Sequence, residues 1–139
     1  MEITYSLEEI NQVAEKILKQ ASSRTFIFYG QLGAGKTTLI QSLARKLGVK
    51  DRLASPTFSL VNEYTNEKDE LLLHFDLYRL ENVEEAYDIG IDEYLSSDAW
   101  IFIEWPDKIV PLLSDDYQKI EIIRQDSGQR LLTISSPLF

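Results

Sequence analysis

The stretch TFIFYGQLGAGKTTLIQSLARKL, residues 25–47, decides how the whole chain is read. It opens on a β-rich apolar run, Phe26-Ile27-Phe28-Tyr29, and closes on Leu39, Ile40, Leu43 and Leu47 at helical spacing, with Gly48 as a C′ residue. Between the two lies Gly30-Gln31-Leu32-Gly33-Ala34-Gly35-Lys36-Thr37, which fits G-x-x-x-x-G-K-[ST]. Glycines let such a loop turn tightly and leave successive N–H groups pointing inward, so it forms an anion nest at the positive end of a helix. A polyphosphate suits that nest, lined here by Gly33, Ala34, Gly35 and Thr38. Lys36 supplies a mobile point charge for the β/γ oxygens, and the Thr37 hydroxyl is placed to ligate the magnesium that travels with a nucleotide.

The 139 residues are read as one domain spanning 1–139, near the lower size limit for a nucleotide-binding α/β fold and with little room for a separate substrate domain. No apolar run approaches the ~20 residues of a membrane span, and MEITYSLEEI lacks the basic and apolar regions of a signal peptide, so a soluble, cytoplasmic chain is expected. Zero Cys excludes thiolate metal sites and cysteine nucleophiles, and one His excludes a polyhistidine zinc site within one chain. With 14 basic residues against 23 acidic, the net charge of −9 opposes unaided binding to a phosphate backbone. Any nucleic acid in the biology should be held by something else.

Working outward, residues 3–5 are expected as a short edge strand, and Ser6-Leu7-Glu8-Glu9 has capping-box spacing. The helix after it carries Leu7, Ile10, Val13, Ala14, Ile17, Leu18 and Ala21 as one apolar stripe, its first turn near the base of a bound nucleotide. Residues 58–64 and 71–77 are predicted strands of a hairpin joined by a polar turn at 65–69. Asn82, with Glu85 three residues on, starts helical pieces that break at Gly90. Residues 100–105 form an almost wholly apolar run, as expected of a strand buried on both faces, and Pro106 ends it. A brief helix over 107–113 and a closing hairpin, 117–125 and 130–136 around Asp126-Ser127-Gly128-Gln129, complete the chain. The fold class is therefore α/β, of the P-loop NTPase type: a mixed, mostly parallel sheet flanked by helices, with antiparallel hairpins.

A phosphate loop needs a second carboxylate to orient magnesium, usually at the end of a buried neighbouring strand. Asp76, after Leu71-Leu72-Leu73-His74-Phe75, and Glu104, after Trp100-Ile101-Phe102-Ile103, both qualify, and spacing does not say which holds metal and which positions water. Ser55, Thr57 and Ser59 lie where triphosphatases keep a γ-phosphate sensor, although Ser and Thr also suit turns and edges. His74 is read as hydrogen-bonded structure, Arg79 as a balance for Asp76 or a phosphate, and Trp105 as core or aromatic lid. Asn66-Glu67-Lys68-Asp69 holds the letters of a guanine-reading motif in the wrong order, and no Asp-x-x-Gly follows the loop, which argues against a GTPase.

Five blocks in order, GQLGAGKTT from Gly30, SPTFSLV from Ser55, HFDLYR from His74, GIDEY from Gly90 and EWP from Glu104, make the chain resemble the TsaE family over nearly its whole length. That is the bacterial P-loop ATPase family of tRNA threonylcarbamoyladenosine biosynthesis. The resemblance implies ATP and Mg2+ as ligands, Glu104 as the metal ligand beside Thr37, and Asp76 together with Lys36 as the hydrolytic residues. It further implies Thr57 in a switch-like segment, Trp105 beside the site, and a pocket closed by the N-terminal segment and a residue near the C-terminus, for which Arg130 is the candidate. Gln31 departs from the acid many relatives carry, with little consequence expected at an outward-facing loop position. Slow hydrolysis alone, meaningful turnover with TsaB and TsaD, and contact with tRNA only through those partners are the implied function. A P-loop small-molecule kinase and an assembly module using ATP as a structural ligand are the alternatives; Arg79, Lys108, Arg124 and Arg130 are too scattered to look like a kinase lid.

Overall fold

A computed structural model describes residues 1–56 and 60–137. Among the described residues seven strands form one sheet: β1 (Glu2–Tyr5), β2 (Thr25–Tyr29), β3 (Val61–Thr65), β4 (Leu71–Asp76), β5 (Trp100–Glu104), β6 (Gln118–Arg124) and β7 (Arg130–Ser135). Their spatial order is β1-β7-β6-β2-β5-β4-β3. The four central strands β6, β2, β5 and β4 are parallel, and the outer pairings β1·β7, β7·β6 and β4·β3 are antiparallel, as the hairpin signals require.

Helices cover both faces of the central strands. Alternation along β2 shows how: Phe26 and Phe28 join a core with Val13, Ala14 and Ile17 of α1 (Ile10–Gln20) and Leu39, Ile40 and Leu43 of α2 (Lys36–Lys46). Ile27 points the other way, into a core with Ile101, Ile103, Ala86 of α3 (Val83–Asp88) and Ile91 of α4 (Ile91–Leu95). Burial on both faces explains why β2 and β5 read as continuous apolar runs.

Helix starts follow their local chemistry. Glu9 accepts a hydrogen bond from the Ser6 N–H at 3.0 Å, but the turn it closes, Leu7–Glu9, is 3-10, and the α-helix begins only at Ile10. Leu7 is correspondingly exposed rather than part of the buried stripe. Asn82 caps α3 by accepting from the Glu85 N–H at 3.2 Å, and Gly90, at φ +85°, separates α3 from α4. Gly48, at φ +96°, occupies the C′ position after α2. The expected helix over 107–113 is reduced to a 3-10 turn at Val110–Leu112, where Pro111 sits within the first turn.

The polar turn after β3 is built by Asn66, whose side chain accepts from the N–H groups of Lys68 and Glu70 and donates to Leu47 O at 2.8 Å. Its amide is committed to holding the turn against the end of α2, so it reads no base. The start expected for β3 at Phe58 lies outside the described residues; within them the strand begins at Val61, after Leu60 with φ +66°.

Candidate functional site

The carboxyl ends of the parallel strands meet the N-terminus of α2, and the phosphate loop spans that corner. Gly35, the N-cap of α2, has φ +105°, and Gly33 has φ +81°; both lie in the left-handed region that favours glycine. A methyl group on Gly35 would also stand 2.9 Å from Arg130 Nε. Arg130 comes from the start of β7 and donates through Nε to Ala34 O at 3.0 Å, so the last strand clamps the loop.

Lys36 is 4% exposed, with its ammonium hydrogen-bonded to Gly30 O at the loop entrance and 3.6 Å from the Trp105 ring centroid. Burial lowers the Lys36 pKa, and the nearby carboxylates of Glu104, Asp76 and Asp107 oppose that shift. Trp105 leaves β5 in a left-handed conformation, φ +56°, and its ring packs on Tyr78 with centroids 4.9 Å apart. It is thus a wall of the cleft, not a core residue.

Sheet register settles the relation of the two acids. Asp76 and Glu104 are direct partners across β4 and β5, and Leu77 N–H donates to Glu104 O at 3.1 Å. Glu104 is 2% exposed and accepts from the Thr37 hydroxyl, which lies 2.9 Å from both carboxylate oxygens. Asp76 sits one strand further from the loop, accepts from Tyr78 N–H at 3.1 Å through Oδ1, and has its pKa raised chiefly by burial, with the Glu104 charge adding to the effect.

A hydroxyl and a carboxylate touching each other at the end of a phosphate loop are a donor set for a hard, oxygen-seeking dication. No group of three or more His, Cys, Asp or Glu side chains able to hold a metal exists among the described residues. Such a hydroxyl–carboxylate pair suits a dication that takes one or two protein oxygens and fills the rest of its shell from a ligand and water.

These residues line a cleft of about 360 Å³, bounded by Leu7, Leu32, Gly33, Gly35, Lys36, Thr37, Thr38, Ser55, Asp76, Tyr78, Glu104, Trp105 and Arg130. Of the residues expected from sequence, Thr57 and Ser59 lie outside the described residues, Ala34 reaches the site through its carbonyl to Arg130, Arg79 does not line the cleft, and Gly33, Gly35, Lys36, Thr37, Thr38, Ser55, Asp76, Glu104, Trp105 and Arg130 converge. Tyr78 was not expected as a cleft wall, being one exposed aromatic side chain with no pattern around it, whereas Leu7, read as part of the apolar stripe whose first turn lies near the nucleotide base, leaves the buried stripe and reaches the cleft from the 3-10 turn. A larger cleft, about 700 Å³, opens at the other end of β2 and β5 beside Arg24 and Trp100, but it has no phosphate loop.

Comparison with known proteins follows the same lines. The family model "Threonylcarbamoyl adenosine biosynthesis protein TsaE" matches residues 4–132. The chain is 36% identical to the tRNA threonylcarbamoyladenosine biosynthesis protein TsaE of Haemophilus influenzae, across 88% of this chain and 86% of that relative. It is 40% identical to the TsaE of Synechocystis sp., across 78% of this chain and 71% of that one. The crystal structure of Bacillus subtilis YdiB superposes with a TM-score of 0.73 at 26% identity, covering 98% of this chain and 86% of YdiB. By family model, sequence and fold together, this chain belongs to the TsaE family of tRNA threonylcarbamoyladenosine biosynthesis proteins.

Proposed function

We propose that the protein is the Mg2+-dependent ATP-binding and ATP-hydrolysing subunit of the cytoplasmic machinery that makes N6-threonylcarbamoyladenosine in tRNA. It works with TsaB and TsaD and resets or remodels their complex between cycles. The observation that carries the reading is the Thr37–Glu104 contact at 2.9 Å, placed at the end of a glycine loop and the start of a helix. That contact joins the two protein oxygens a nucleotide-bound magnesium needs.

The loop amides and the N-terminus of α2 would receive the phosphates, and Lys36 would exchange the Gly30 carbonyl for β/γ oxygens. Thr37 and Glu104 would hold Mg2+, which supplies charge neutralisation on the oxygens of the transferring phosphoryl group. Asp76 is the candidate to orient the attacking water and take its proton: its raised pKa makes it a better acceptor than an exposed aspartate. Trp105, Tyr78 and Leu7 would wall the nucleotide from solvent, and Arg130 would keep the loop in shape.

A kinase needs basic lid residues over the phosphates. Lys108 is instead bonded to the carbonyls of Leu80 and Glu81, and Arg130 to that of Ala34. The net charge of −9 favours division of labour, with partners holding the RNA. Reconstitution tests the proposal: with TsaB, TsaD, tRNA, ATP and the threonylcarbamoyl donor, adding this subunit should sustain many rounds of modification. Identical multi-cycle rates without it would refute the assigned role.

A further inference from the structure

His74 is 3% exposed and faces α2 from the middle of β4. Ile40, Ala44, Leu72 and Phe102 stand around it with Gln41 and Tyr64, and Asn62 is its direct partner on β3. Its Nε2 lies 2.7 Å from Glu104 Oε2. His74 pairs in register with Phe102, so it reaches Glu104 diagonally, two residues along β5 on the same face of the sheet. A carboxylate oxygen only accepts, so a hydrogen bond at this distance requires Nε2 to carry the proton.

Glu104 is therefore gripped from two sides: the Thr37 hydroxyl bridges both oxygens at 2.9 Å, while His74 ties down Oε2. A carboxylate at a strand end has free rotation about its last torsion unless something fixes it. We infer that His74 is a positioning residue: its Nε2–H holds the Glu104 carboxylate in the orientation that presents an oxygen, next to the Thr37 hydroxyl, to the magnesium of the bound nucleotide. This rests on the ATP and magnesium reading above. Neighbours that orient a metal's ligands typically account for about 10- to 100-fold in metal affinity. A histidine that merely fills space would need no partner on a buried acid.

The test is a Mg2+ titration of fluorescent ATP-analogue binding, with affinity also measured in EDTA and thermal unfolding followed without ligand. His74→Leu keeps volume but loses the donor, and should raise the Mg2+ concentration for half-maximal enhancement about tenfold or more while leaving affinity in EDTA within about twofold. His74→Gln, whose amide can reach the Nε2 position, should restore most of the Mg2+ response. An unchanged Mg2+ requirement in His74→Leu, given a normal wild-type response, overturns the inference alone. Equal loss of the Mg2+ response and of EDTA affinity in both variants also overturns it, because the role is then only structural. No Mg2+ response in the wild type overturns the underlying nucleotide reading along with it.

Discussion

At the residue scale, the site combines groups that are costly to bury unless a ligand is to be met. Lys36 is almost fully covered, and its hydrogen-bond partner among the described residues is a carbonyl that cannot neutralise it. Lys36→Ala should weaken ATP binding about 10- to 100-fold by calorimetry, the range of one or two charge-assisted hydrogen bonds, without lowering the thermal stability of the free chain. Thr37→Ala should bind nucleotide in EDTA like the wild type and lose the gain that Mg2+ brings. Asp76 gives a sign that can be checked. Its pKa is raised in the fold, so the folded state binds that proton more tightly than the unfolded chain. Its contribution to stability is therefore favourable at acid pH and is lost as pH rises from the ordinary carboxylate range through the raised value. Asp76→Asn should accordingly stabilise the free protein at neutral pH relative to pH 4, seen as a difference in thermal midpoints, while abolishing ATP hydrolysis with binding intact.

At the scale of elements, the phosphate loop depends on backbone that only glycine adopts cheaply. Gly33→Ala meets open space but still costs about 1–2 kcal/mol for its left-handed φ. Gly35→Ala adds a contact with Arg130 at 2.9 Å and should be the more damaging. Adding Arg130→Ala to Gly35→Ala should return part of the loss in denaturant titrations, because the far end of a flexible side chain is what stands in the way. Most elements were legible in the sequence: alternation and apolar runs located β2, β4 and β5, and Gly48 and Gly90 marked helix ends. The loop itself was readable because its motif is local. The relation between Glu104, Thr37 and His74 was not, since it depends on which strands become neighbours and in what register, and nothing in 71–76 or 100–104 alone specifies the pairing of Asp76 with Glu104. The 3-10 start at Leu7 was likewise hidden, because the capping-box spacing is met by either helix type.

At the scale of the molecule, an acidic chain with pI about 4.6 carries the phosphate-loop cleft on one end of its sheet and no helix, among the described residues, long and apolar enough to cross a membrane. That charge predicts no saturable binding of tRNA by the protein alone in fluorescence anisotropy up to about 100 µM at physiological salt, and tRNA association only when TsaB and TsaD are present. The carboxyl ends of the parallel strands, the start of α2 and the clamp from β7 all converge on the proposed cradle, so the central claim is geometric. The most direct measurement is a crystal structure of the protein with a non-hydrolysable ATP analogue and Mg2+. The account predicts phosphates on the amides of residues 33–38, Lys36 turned from Gly30 O to the β/γ oxygens, and the metal bound by Thr37 and Glu104. Nucleotide bound elsewhere with Lys36 still on Gly30 O, or magnesium held without Thr37 and Glu104, would contradict it.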